Sequence, residues 1–248
     1  MIKIEDFFDL SDLDESLQGL FEGIDNELWK ILPRLETHLA GLFPKRAAIL
    51  GQVDSGAYLV NRDRIYIGPD TRVEAGAYIA GPAYIGANCQ VRHGAYIRGP
   101  VIAGDNCVLG HASEFKNALL LPGSHAGHFA YVGDSLLGHR VNLGAGTKLS
   151  NLGVLSDKSK AKMGQRPTIK IPLRGLAKPV DTGLTKLGAI LGDDVQTGCN
   201  AVLNPGCLVG RNTLIYANVS LPKGYWGSSK VIKLRQQLEV VELRNGEG

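Results

Sequence analysis

Residues 67–110 read IGPDTRVEAGAYIAGPAYIGANCQVRHGAYIRGPVIAGDNCVLG, and an aliphatic or small residue stands at every sixth place: Ile67, Val73, Ile79, Ile85, Val91, Ile97, Ala103 and Leu109. The run continues through Phe115 and Leu121, resumes at Leu137, Leu143 and Leu149, and returns at Leu191, Thr197, Leu203, Val209 and Ile215. Four residues after many of these comes a second, compact position, as at Thr71, Ala77, Ala83, Cys89, Ala95, Val101, Cys107, Ser113, Val195, Ala201, Cys207 and Thr213. A period of six with two inward slots describes a prism whose faces are short strands and whose corners are turned by glycine and other permissive residues. Three hexads close one coil, and successive coils pair as parallel strands, so no hairpins are needed to satisfy the backbone. The expected fold is an all-β solenoid spanning residues 61–222.

Composition agrees with this reading and narrows the function. Glycine is abundant, at 32 of 248 residues, and aromatics make up 6%, a balance suited to short strands and tight turns. A net charge of +3 is too small to argue for nucleic acid and is compatible with an anionic small molecule. The N-terminus MIKIEDFFDL is acidic, and no apolar run reaches membrane-spanning length, so no membrane role and a cytoplasmic location are expected. The cysteines, Cys89, Cys107, Cys199 and Cys207, lack CxxC spacing and are expected as free thiols, three of them in the compact inward slot.

Two segments stand outside the repeat. Residues 1–60 are expected to form a helical cap over the first coil, since Leu13, Leu17, Leu20, Phe21, Ile24, Leu28, Ile31, Leu35 and Leu39 follow amphipathic helical spacing. Ser11 is a candidate cap for the first helix, and Pro33 should kink or split the second. An insertion at about 153–187 interrupts the solenoid; residues 156–186 hold eight Lys/Arg against two acidic residues, which fits either a solvated loop or a lid over a phosphate-bearing ligand. Residues 223–248 form a tail whose KVIKLRQQLEVVEL suits helix or edge strand equally.

From Arg98 to Asn151 the sequence contains EFKN, GHFAYVGDS and NLGAGT followed by asparagine. This stretch resembles the acetyltransferase domain of the bacterial bifunctional glucosamine-1-phosphate N-acetyltransferase/uridyltransferases, members of the hexapeptide-repeat superfamily. The resemblance implies a left-handed β-helix, a homotrimer with sites between chains, and acetyl-coenzyme A as co-substrate with no metal. It implies that His128 is the general base and that Arg98 and Lys116 bind the sugar phosphate. It further implies that Tyr131 and Asn142 hold the sugar, that Asn151 positions the amine, and that the Leu152 amide supports the oxyanion, at a place where the family has tyrosine. Spacing independently puts Arg98 and Lys116 one coil apart on one face. Ala145, Gly146 and Ala217 match coenzyme contacts. Two positions depart: Cys199 replaces a serine, and Gly188 replaces a lysine, with Lys186 the nearest substitute.

Some 60 residues before the repeats are too few for the uridyltransferase half, and they show no glycine-rich phosphate loop. Two other readings compete. A zinc hydratase of the γ-carbonic-anhydrase type would use His93 and His111, one coil apart, but the third histidine at that family's spacing is missing. A non-catalytic relative that binds a sugar nucleotide or serves as a scaffold would be consistent with the altered coenzyme positions.

Overall fold

The computed structural model describes residues 2–11, 13–154, 166–173 and 175–241. The hexads wind into a left-handed parallel β-helix with three faces. Face one stacks Ile67, Ile85, Ala103, Leu120, Leu137, Leu191 and Val209. Face two stacks Val73, Val91, Leu109, Ala126, Leu143, Thr197, Ile215 and Ile232. Face three stacks Ile79, Ile97, Phe115, Val132, Leu149, Leu203 and Leu221. Apart from the half-buried Ile232 at the end of the solenoid, these side chains and the compact slots are buried and form one continuous core. Each coil alone could not bury its apolar edge; stacking does it. Many corners are turned by Asn or Asp at positive φ, such as Asn88, Asn106, Asn200 and Asn218, the residue types that tolerate the left-handed region at least cost after glycine.

Two coils are one residue short, and this explains why the sequence pattern loses phase. The inward residue after Phe115 is Leu120, not Leu121, because the strand bulges between Lys116 and Ala118 with Asn117 at φ 47°. Asp134, at φ 46° on the next coil, turns the same corner after Val132. Leu121 instead joins a second apolar cluster outside the helix.

That cluster corrects the expected cap. The solenoid begins at Ala48–Ile49 and runs to Val231–Ile232, wider than 61–222 at both ends. The N-terminal segment does not close the first coil; it lies along the outer side of face one, where Ile102, Leu119, Leu121, Leu136, Ile190 and Leu208 point outward against Phe7, Leu28, Trp29, Ile31 and Leu35. Buried Asp193 pins it: the carboxylate accepts from the amides of Asp9 and His139, at 2.8 Å each, and faces Arg211 at 3.4 Å. Desolvation pushes the Asp193 carboxyl up from its ordinary range. The helical content is short: Glu15–Gln18, a 3-10 stretch Leu28–Arg34 holding Pro33, and Leu35–Arg46. Pro33 thus sits where one helix type gives way to the other. Ser11 caps none of them; its hydroxyl donates to Asp9 at 2.7 Å.

The excursion after Leu149 is a single insertion, because Leu137 and Leu191 are neighbours on face one although 54 residues separate the two strands. Part of the basic segment, 155–165, and residue 174 lie outside the described residues. The remainder carries a small hairpin, Lys170–Ile171 with Val180–Asp181, whose Ile171 joins the outer cluster. The tail adds the strand Val231–Ile232; residues 233–241 form no regular element. No helix among the described residues is long and apolar enough to cross a membrane.

Gly188 marks the insertion's return, where its amide donates to the Asp134 carbonyl at 2.8 Å. A Cβ here would fall on the Ser135 hydroxyl and the Gly133 carbonyl, so the lysine of the resembling family has no room at this position. Gly188→Ala is expected to destabilise the fold by about 1–3 kcal/mol through overpacking, read as a lower urea midpoint at unchanged slope.

Candidate functional site

The site residues expected from the sequence fall mainly on the two long edges of face three. On the trailing edge, next to face one, Arg98, Lys116 and Gly133 are direct neighbours on adjacent strands. Arg98 is held by Glu114, Nε at 2.7 Å and Nη2 at 2.6 Å, and this bond raises the guanidinium further. The Lys116 ammonium lies 3.2 Å from Asp134, with only 22% and 6% of the two side chains exposed. Asp134 also accepts from Asn117 Nδ2 at 2.8 Å and from Asn151 Nδ2. One buried carboxylate therefore orients a lysine and two amides, the kind of satisfied network that tolerates burial.

Tyr131 folds over this cluster: a Cβ at Gly133 would meet its hydroxyl at 2.5 Å. Burial raises the Tyr131 phenol above its ordinary value, with Glu114 and Asp134 adding to the rise, so it remains a neutral donor. Asn151 ends the coil. Leu152 follows it, half-exposed, and its amide has no hydrogen-bond acceptor among the described residues. The trailing edge thus gathers Arg98, Lys116, Tyr131 and Asn151 into one polar cluster.

The leading edge, between faces two and three, carries His128, Ala145, Gly146, Cys199 and Ala217 in line on successive coils. Backbone bonds set the ladder: the Gly146 amide donates to His128 O at 3.0 Å, Asn200 to Ala145 O at 2.8 Å, and Asn218 to Cys199 O at 3.0 Å. The His128 side chain is exposed and has no partner among the described residues. Lys148, on face three, bends back to donate to Gly146 O at 2.6 Å. Small residues, Ala145, Gly146, Cys199 and Ala217, alternate on this edge with the exposed rings of Phe129 and Tyr216.

Three placements depart from the sequence reading. Lys186 is not on the leading edge with the other expected coenzyme contacts; it lines a hollow with Asn117 and Asp134, beside the Lys116 cluster. Asn142 points outward on face two between His125 and Gln196, away from Tyr131. His128 and Asn151 stand on opposite edges of face three, separated within one chain by on the order of 10–15 Å at the usual rise per strand residue. Sequence reasoning also passed over Asp134, Glu114 and Asn117, although all three lie inside the EFKN and GHFAYVGDS motifs.

His93 and His111 occupy the leading edge on the two coils before His128. Their Nδ1 atoms face the carbonyls of Ala75 and His93, at 2.7 and 2.8 Å, and the rings stack at 5.8 Å. Each Nδ1 must then be the donor, which leaves Nε2 atoms side by side rather than convergent on one point. No group of three or more His, Cys, Asp or Glu suited to a metal occurs among the described residues.

The cysteines divide as their slots require. Cys89, Cys107 and Cys207 are buried, and burial pushes the thiols of Cys107 and Cys207 up, while Cys199 is exposed. A thiol-specific disulfide reagent is expected to label one thiol per chain under native conditions, to label none in Cys199→Ser, and to label all four only after denaturation.

The fold and its paired edges place the chain among the hexapeptide β-helices. A family model described as the GMPPB C-terminal domain matches residues 79–170. The chain is 34% identical over 134 residues to the bifunctional protein GlmU of Methanococcus maripaludis, covering 54% of this chain and 29% of that protein. It is 32% identical over 184 residues to the bifunctional sugar-1-phosphate nucleotidylyltransferase/acetyltransferase of Sulfurisphaera tokodaii, covering 73% and 42%. The chain therefore spans less than half the length of these curated relatives. Among solved structures it is similar to a UDP-N-acetylglucosamine acyltransferase of Francisella novicida, at 13% identity and TM-score 0.43, covering 75% of this chain and 62% of that one.

Proposed function

We propose that the protein is an acetyl-coenzyme A dependent N-acetyltransferase whose acceptor is an amino-sugar phosphate of the glucosamine 1-phosphate kind. The observation that carries this reading is the trailing-edge cluster. Two cations on adjacent strands, held by Glu114 and Asp134, sit beside a neutral phenol and an amide, a set suited to a phosphorylated sugar.

In the reaction, the acceptor amine attacks the thioester carbonyl and the N–C bond forms. The imidazole of His128 takes the proton that the nitrogen must lose, as a general base does. Negative charge on the carbonyl oxygen is met by the Leu152 amide. The C–S bond then breaks, and the thiolate of coenzyme A recovers a proton. Ala145, Gly146, Cys199 and Ala217 line the path of the pantetheine arm, and Lys186 joins the acceptor's side of the site.

His128 and Asn151 lie too far apart in one chain to share a small acceptor. A homotrimer, in which the leading edge of one chain faces the trailing edge of the next, joins the two halves; closed cyclic symmetry gives every chain the same contact. Incubation with acetyl-coenzyme A and glucosamine 1-phosphate is expected to yield the N-acetylated sugar phosphate by mass spectrometry. If no amino-sugar phosphate in a panel is acetylated while coenzyme A still binds, the acceptor assignment is wrong. If coenzyme A does not bind at all, the non-catalytic sugar-nucleotide or scaffolding reading replaces it.

A further inference from the structure

Under the basic insertion, further along the trailing edge of face three and just past Leu203 and Leu221, lies a cleft of about 510 Å³. Arg166 and Lys170 reach it from the insertion, and Lys223 from the residues just after Leu221; no carboxylate lines it among the described residues. The three cations are poorly compensated. Among the described residues Arg166 has only the Gly153 carbonyl, at 3.5 Å. Lys170 meets Asp181 at 3.9 Å, and that carboxylate is already engaged by the Thr168 hydroxyl and the Gly183 amide. Lys223 has no hydrogen-bond or ion-pair partner among the described residues. Like charges drawn from two distant segments to one hollow repel each other, and an anion placed between them reverses the sign of that energy.

The cleft also adjoins the candidate site. Gly153 in its wall is two residues beyond Asn151, and Thr185 borders both this cleft and the hollow that holds Asn117, Asp134 and Lys186. Ile169 and Pro205 give it an apolar side, which suits a phosphate attached to an organic body better than a free ion.

We propose that this cleft is a second anion site, separate from Arg98 and Lys116, that binds a phosphate or diphosphate group carried by a substrate. Two molecules supply that chemistry: the diphosphate portion of coenzyme A, or a nucleoside diphosphate joined to the acceptor sugar. The site itself stands on the cations and their shortage of partners; only the choice between these two sources rests on the acetyl-transfer reading.

Calorimetric titration of the full chain tests it, with pyrophosphate, coenzyme A and UDP as probes against wild type, the double variant Arg166→Gln/Lys223→Gln, and Lys116→Gln. All three changed positions have side chains at the surface or its margin, and thermal melting checks that each variant is folded. Pyrophosphate binding at the cleft is expected to weaken at least tenfold in the double variant, to persist in Lys116→Gln, which removes only binding at the Arg98 cluster, and to fall with added salt. Parallel weakening of coenzyme A assigns the cleft to the donor, and parallel weakening of UDP assigns it to a nucleotide-linked acceptor. Weakening of pyrophosphate alone overturns the assignment to either substrate. Unchanged binding of all three probes in the double variant, or no pyrophosphate binding in wild type, overturns the site. Because these are binding measurements, a chain that binds pyrophosphate but transfers no acetyl group keeps the cleft and loses the acetyltransferase reading.

Discussion

His128→Ala is expected to lower kcat for acetyl transfer by about 10²–10⁴-fold, the usual worth of a positioned general base, while KM for the sugar phosphate changes little. The reasoning starts from the amine. Protonated, it has no lone pair for the thioester, and during attack it must shed a proton, which the proposed reaction gives to His128. His128 is exposed on the leading edge, on the coil adjoining Ala145 and Gly146, with no partner to its ring among the described residues. In the proposed reaction the acceptor's phosphate is gripped by Arg98 and Lys116, so removing the imidazole should leave ground-state binding intact and remove stabilisation specific to the transition state. Lys116→Ala gives the opposite signature, a raised KM with a smaller loss in kcat. The two variants measured side by side by steady-state kinetics separate the roles. Equal losses in both parameters for both variants would mean that the edges do not divide the work in this way.

Asp134→Ala is expected to destabilise the fold by about 3–5 kcal/mol, as when one partner of a buried ion pair is removed. Lys116 would be left with little access to water, and Asn117 and Asn151 would lose their shared acceptor. Chemical denaturation reads this directly. The same change should raise KM for the acceptor, since Lys116 and Asn151 would no longer be held in place. Asp134→Asn keeps the shape and one acceptor oxygen and should fall between the two. A stability loss under about 1 kcal/mol would show that the lysine is solvated in solution and that the network is not what positions it.

The solenoid was legible because its code is local. Ile67, Val73 and Ile79 each announce a face, and the repetition multiplies a weak signal into a strong one. The pattern misled at Leu121 because Asn117 and Asp134 each shorten a coil by one residue, and a one-residue slip inside a strand leaves no mark in hydropathy when the next residues are all leucine. The N-terminal segment was read correctly as apolar and wrongly as a cap. Helical spacing says that a face is buried but not against what, and the outward Ile102, Leu119 and Leu136 that receive it looked like ordinary strand positions.

Which candidate residues are neighbours was legible only where the register of the coils fixes it. Arg98 and Lys116 followed from spacing as well as from resemblance, because a coil's length fixes which residues are neighbours. Asp134 was hidden: Lys116, Asn117 and Asn151 converge on it from the two coils that flank its own, which only the fold brings about. Lys186 was assigned to the wrong edge for a related reason, since the path of an insertion cannot be read from the register on either side of it. The collision of any Gly188 side chain with Gly133 and Ser135 belongs to the same class of fact.

The most direct test of the central claim is thiol release from acetyl-coenzyme A, followed with purified protein and glucosamine 1-phosphate beside the His128→Ala variant. Release that depends on both substrates and is lost in the variant is the predicted result. No acceptor-dependent release with any amino-sugar phosphate, or equal release by both proteins, would contradict it.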